Sequence, residues 1–420
     1  MAALRLSVRA VALDRMRLAI AAAAATVVAL AATAPAHAGQ SCSGSQIRTA
    51  SGCTGLREAG QRVQQIVRGT MRAEDLRAAL VRVDVGKRTL VKTSPGVSIT
   101  GVPANLRMQT RIGSIAIPYV IDILFQLRDA GRLSLDDPLS KYLPGIAEAD
   151  KISLLNLATA TSGLPDWIQE NPSFLNDLYG NPFQQFTTDE ILDIALKRQR
   201  ICQPGQCFHY AHTNFVILGK VVSKVTGKPL RTLLQKRILR PLGLRHTYIS
   251  ALPSMPRPYL NAYTAARGPY EDSTAWTPSW GISSSLTMSS TIGDVVKAAK
   301  AMGRGTLLSR RSAKERFAPY TADLPGFNQN LYYGLGVIIE NTWAIQNPEL
   351  NGYTAIQGWL PSKKMAVGIA VTKGPRAAAQ TTENYSELVF AELTDYLSPN
   401  HRFNAPGITP PEPTLPRPRG

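Results

Sequence analysis

The chain has 420 residues, of which 44% are hydrophobic and 18% charged, and its formal net charge is +18. That length suits one large domain or two ordinary ones, and that composition buries a core, which excludes a chain disordered throughout. The basic balance favours anionic surroundings, while basic residues scattered away from aromatics argue against nucleic acid as a partner.

Residues 1–38 read as a secretory signal peptide. Arg5, Arg9, Arg15 and Arg17 precede an Ala/Val/Leu run from Leu18 to Ala34, and Ala36-His37-Ala38 fits a small-residue cleavage site. The alternative is an uncleaved N-terminal anchor, for which the apolar run is slightly short. Removing a segment of charge +3 from +18 leaves +15. An exported chain meets an oxidising compartment. The four cysteines fall in two close pairs, which read as disulfides Cys42–Cys53 and Cys202–Cys207. Neither pair has zinc spacing, so no metal is expected, and nothing implies a cofactor.

Residues 39–75 read as an N-terminal extension, stapled at its start. Leu80 to Val85 and Thr89 to Val91, joined by Gly86-Lys87, predict a β-hairpin. From Ser114 the apolar positions Ile117, Val120, Ile121, Leu124 and Leu127 keep helical spacing up to Gly131. Further helices are predicted over 188–197, 213–226 and 291–302. Late strands are predicted over 332–338, 353–358 and 365–371, and a closing helix over 384–397. Residues 76–400 form the main domain, and 401–420 a proline-rich, disordered tail. Early strands, a helical middle and late strands suit an α/β (α+β) sheet built from both chain ends.

Several stretches in order resemble one family, the serine β-lactamase and DD-peptidase-like hydrolases on their class C, carboxypeptidase and esterase side. They are RIGS (111–114), GRLSLDDPLSKYLPGI (131–146), ISLLNLATATSGLPDW (152–167), PGQCFHYAHTNFVILGKVVSKVTGKPL (204–230), RPLGLRHTY (240–248), SSLTMSSTIGDV (284–295) and YYGLG (332–336). The resemblance implies a β-lactamase/transpeptidase-like fold: an antiparallel sheet flanked by helices, plus an all-helical region.

The family's chemistry needs Ser-x-x-Lys, Tyr-x-Asn and a late Lys-x-Gly or His-x-Gly. This chain has Ser114 with Ile117 in the lysine position, and Tyr210-Ala211-His212 for the second motif. The best match to the third is Ile356-Gln357-Gly358. Ala160 stands where the family commonly has a histidine. Both cations of the site are therefore absent, and Ile117, Ile356 and Gly358 are expected to line an apolar cleft. Ser114 reads as nucleophile or as a helix cap. Tyr210 reads as a site-lining or a core tyrosine, and His212 as a substitute base or an inert wall residue. One function is a catalytically degenerate secreted or envelope protein that binds a small-molecule or cell-wall-related ligand. The alternative is an active esterase or amidase with Ser114 as nucleophile, His212 as base and Tyr210 assisting. In either case the lost cation argues against penicillin or D-Ala-D-Ala turnover.

Overall fold

The computed structural model describes residues 42–169, 171–281, 287–380 and 384–404. The expected signal peptide over 1–38, and residues 405–420 of the expected 401–420 tail, lie outside them. Strands β1 (Gln46–Thr49) and β2 (Gly52–Gly55) form a hairpin, followed by α1 (Leu56–Ala73) and the hairpin of β3 (Leu76–Val85) and β4 (Arg88–Thr93). Short β5 (Thr110–Arg111) leads through a 3-10 turn (Gly113–Ala116) into α2 (Ile117–Asp129). The middle holds α3 (Leu154–Ala158), α4 (Pro172–Gly180), α5 (Thr188–Leu196), α6 (His212–Thr226) and α7 (Leu230–Leu234). After them come β6 (Thr247–Ile249), β7 (Tyr263–Thr264), β8 (Glu271–Asp272), β9 (Met288–Ser290), α8 (Ile292–Arg304) and α9 (Arg310–Glu315). The chain continues through β10 (Leu331–Tyr333), β11 (Ile338–Glu340), β12 (Trp343–Gln346), β13 (Glu349–Leu350), β14 (Tyr353–Leu360) and β15 (Met365–Lys373) to α10 (Pro375–Ala379) and α11 (Tyr385–Leu397).

The main sheet runs β10-β11-β12-β14-β15-β3-β4, with antiparallel neighbours throughout. Its centre joins the two chain ends, as the sequence pattern predicts: Val85 of β3 faces Met365 of β15. Adjacent residues on a strand point to opposite faces, and β14 shows what covers each. A Cβ on Gly358 would lie 2.9 Å from the Phe390 ring of α11, while Trp359 lies against Gly303 of α8. So α1 and α11 cover one face and α8 the other.

Residues 42–75, the described part of the expected extension, pack onto the sheet. In α1, Ala59, Val63, Val67 and Met71 keep a spacing of four and are buried against the sheet and α11. Each fully buried valine contributes on the order of 2 kcal/mol. At the other end Trp343 donates its indole N–H to the carbonyl of His401 (2.8 Å), and Asn404 N–H bonds Glu340. Residues on both sides of the expected 76–400 domain therefore make contact with its sheet. The two predicted disulfides are present. Among the described residues no helix is long and apolar enough to cross a membrane.

Candidate functional site

Ser114 sits where β5 turns into α2. β5 is pinned to β9 by the pairs Thr110–Ser290 and Arg111–Ser289. The chain then turns through Gly113 at φ +41°, where a Cβ would lie 2.5 Å from the Pro348 side chain. Only glycine fits so tight an approach. Ser114 is 4% exposed. Its hydroxyl neighbours the Tyr210 phenol. The pair falls short of good hydrogen-bond geometry, and neither oxygen has another partner among the described residues.

One turn on, Ile117 is fully buried. It packs with Ile121 against Gly336, where a Cβ would lie 3.1 Å from Ile117 and 2.6 Å from Ile121. The position that would hold a lysine is closed by aliphatic packing.

Tyr210 and His212 come from the segment leading into α6. Burial raises the Tyr210 phenol well above its usual range, and the nearby Asp166 charge adds to this. The phenol stays protonated at any physiological pH, so it is available as a hydrogen-bond donor and does not act as a resting base. The His212 and Tyr210 rings meet edge to face, 5.2 Å between centroids. No hydrogen bond joins His212 to Ser114 among the described residues. His212 Nδ1 instead lies 2.7 Å from the Asp166 carboxylate, which also accepts from His212 N–H (2.6 Å) and Ile168 N–H (2.8 Å). Asp166 is fully buried. Desolvation pushes its pKa up, but the His212 charge and the three hydrogen bonds outweigh it, and the net shift is downward. An ionised Asp166 holds a proton on Nδ1 and leaves Nε2 as the ring's other nitrogen.

Sequence reasoning missed Asp166, although it lies within TSGLPDW. An aspartate after proline reads as a turn residue. Its partner is 46 positions away, beyond any local pattern. The same loop meets α6 twice more, through Thr213 on the Pro165 carbonyl (2.7 Å) and the Ser162–Asn214 side-chain pair.

The third expected element needs correction. Ile356 and Gly358 do not line a cleft with Ser114. Both are on the face of β14 that α11 covers: Gly358 abuts Phe390, and Thr354, two residues earlier on that face, accepts from Ser386 N–H. The segment that reaches the Ser114 turn is the end of β12, where Pro348 touches Gly113. Beside it Gln346 donates to the Gly336 carbonyl (2.7 Å) and neighbours the Tyr333 hydroxyl, and Asn347 donates to Glu387 of α11. Gln346, Asn347 and Pro348 carry no positive charge, so the absence of a cation holds although the residues differ. The wall beside Ser114 is aromatic rather than aliphatic. Half-buried Phe208 packs on Phe327 (4.8 Å) and Tyr333 (5.3 Å), and Tyr333 meets Tyr210 (6.3 Å).

The Cys202–Cys207 loop braces this arrangement. Ile201, Gly205 and His209 donate backbone N–H groups to Gly163, Thr161 and Ala160, and Arg200 donates to the Ser162 carbonyl. Converting both cysteines to alanine is expected to lower the unfolding free energy by roughly 2 kcal/mol, the entropy of so short a closed loop. Urea melts without reductant measure this.

A serine opening a helix beneath an antiparallel sheet, with a tyrosine across from it, defines the class of penicillin-binding-like serine hydrolases. The sequence model of the Beta-lactamase family matches residues 63–392, and the chain belongs to that family. It is 26% identical over 328 residues to a D-alanyl-D-alanine-carboxypeptidase/endopeptidase, AmpH, of Escherichia coli (strain K12), covering 71% of this chain and 79% of that one. It is 27% identical over 212 residues to a beta-lactamase of Providencia stuartii, and spans only about half (52%) of that relative's length. Among solved structures, a D-stereospecific amidohydrolase from Streptomyces sp. superimposes with a TM-score of 0.69 at 22% identity, covering 80% of this chain and 97% of that one. At that identity the likeness carries the fold alone.

Proposed function

We propose that this chain is a non-hydrolysing member of the family, exported, which acts by holding a ligand. One observation carries the reading: the neighbour of the Ser114 hydroxyl is a protonated phenol, and the lysine position is Ile117, packed shut. An alcohol without a base to take its proton is a weak nucleophile. The two disulfides support an oxidising compartment.

A fluorophosphonate and a fluorescent penicillin, applied to the purified protein beside an active relative, test this. The expected result is labelling of the relative and none of this chain. Labelling at Ser114, shown by its loss in Ser114→Ala, would sink the reading.

The Asp166–His212 pair favours a second reading, an esterase or amidase of neutral substrates. There His212 takes the Ser114 proton once substrate has closed the gap between them. In that case His212→Ala abolishes labelling as completely as Ser114→Ala does.

A further inference from the structure

Between Asp193 and Glu271 the sequence holds thirteen Lys and Arg and no acidic residue. The basic residues are thus not scattered everywhere. The densest part runs from the last turn of α6 through α7 to the residues before β6. Residues 230–240 form a helical run that buries Leu230, Leu233, Leu234, Ile238 and Leu239 and leaves Arg231, Lys236 and Arg240 in solvent. Lys224, Lys228 and Arg245 flank them and are exposed too. None of these six side chains makes an ion pair or hydrogen bond among the described residues. Other cations of the same basic stretch are paired, Lys220 with Asp189 and Arg200 with Glu148.

Six unpaired like charges repel one another and destabilise the free protein slightly, so they signal a surface that awaits counter-charge. Directly after Arg245 the chain exposes two large apolar side chains, Tyr248 (39%) and Leu252 (59%). A soluble polyanion has no use for them. A lipid surface takes both features, cations on its headgroups and an aromatic and an aliphatic side chain at the interface.

We propose that the surface over residues 224–252 docks this protein on an anionic lipid bilayer. α6 then fixes the geometry. Its first residue is His212 and its last turn carries Lys224, so the candidate site stands roughly 20 Å along the helix from the docked end. The protein is tethered by one end of α6 and presents the other.

Co-sedimentation with vesicles of phosphatidylcholine containing 30% phosphatidylglycerol, against pure phosphatidylcholine, tests the proposal at about 0.1 M and about 0.5 M salt. Binding is expected to the anionic vesicles only, and to fall at high salt. Lys236→Glu with Arg240→Glu is expected to weaken it at least tenfold. Lys87→Glu with Lys92→Glu, the same charge change on the β3–β4 hairpin, is expected to weaken it less than threefold. Tyr248→Ser with Leu252→Ser, which keeps the charge, is expected to weaken it several-fold. Equal loss in both charge-reversal pairs would show net charge acting alone and overturn the proposal. So would retention of soluble polyphosphate without binding to vesicles, or no binding to either.

Discussion

Replacing Ile117 with lysine is expected to make Ser114 label with a fluorophosphonate at a rate on the order of 100-fold above the detection floor at which the natural chain stays unlabelled, the scale at which a positioned base contributes. Ile117 is one helical turn after Ser114 and fully buried. A lysine there cannot stay comfortably charged, because burial disfavours the ammonium form and lowers its pKa. The neutral amine that results is a base, and Ser114 is the hydroxyl one turn away. The substitution is costly. It displaces a side chain packed on Ile121 and Gly336, so a loss of roughly 2–4 kcal/mol of stability accompanies the gain. Intact-protein mass spectrometry reads the labelling and a urea melt reads the cost. A folded Ile117→Lys protein that remains unlabelled would mean that Ser114 is not aimed as a nucleophile at all.

Asp166→Ala is expected to destabilise the protein by roughly 3–5 kcal/mol, the usual result of breaking a buried pair from one side. The carboxylate takes hydrogen bonds from both His212 groups and from Ile168 N–H, and no side chain caps α6 from within its own sequence. Removing it leaves the His212 and Ile168 N–H groups buried with no acceptor. The pH dependence has a definite sign. Asp166 has a folded pKa below its ordinary value, so its contribution is fully present above about pH 4, the unfolded value, and is lost as pH falls through the lower folded value. Urea melts of wild type and Asp166→Ala should therefore stay apart above about pH 4 and converge in stronger acid. A gap that persists undiminished in stronger acid would show that the carboxylate is not ionised in the fold.

Much of the fold is visible in the residues because local chemistry repeats there. α2 keeps its apolar spacing behind Pro118, α6 stops at Gly227 in the left-handed region, and the β3–β4 hairpin alternates around Gly86-Lys87. What escaped depends on distance or brevity. α1 has a readable stripe at Ala59, Val63, Val67 and Met71, hidden by the polar stretch before it. β12 has four residues, too few for a period. AIQGW then imitates a cation-x-glycine element one strand further into the sheet. The facing segment ends in Asn347-Pro348, which has neither glycine nor cation to mark it. Of the candidate site, Ser114, Ile117, Tyr210 and His212 were singled out by their resemblance to the family's motifs. The Asp166 partnership was not, since only the folded chain brings the loop at 166 beneath the start of α6.

The neighbouring of β3 and β15 has a consequence for biosynthesis. β3 is among the first strands made, yet the strand beside it is among the last. At roughly 5–20 residues per second the ribosome needs on the order of ten seconds to a minute to reach it. Throughout that interval β3 presents a row of unpaired backbone groups flanked by apolar side chains, an open edge that invites another nascent chain. α1 shields one face of the β3–β4 hairpin from the start, but nothing encoded before β15 covers that edge. A chain cut short anywhere before residue 365 therefore keeps a permanently bare strand, and such fragments should aggregate or be degraded rather than persist as smaller folded proteins.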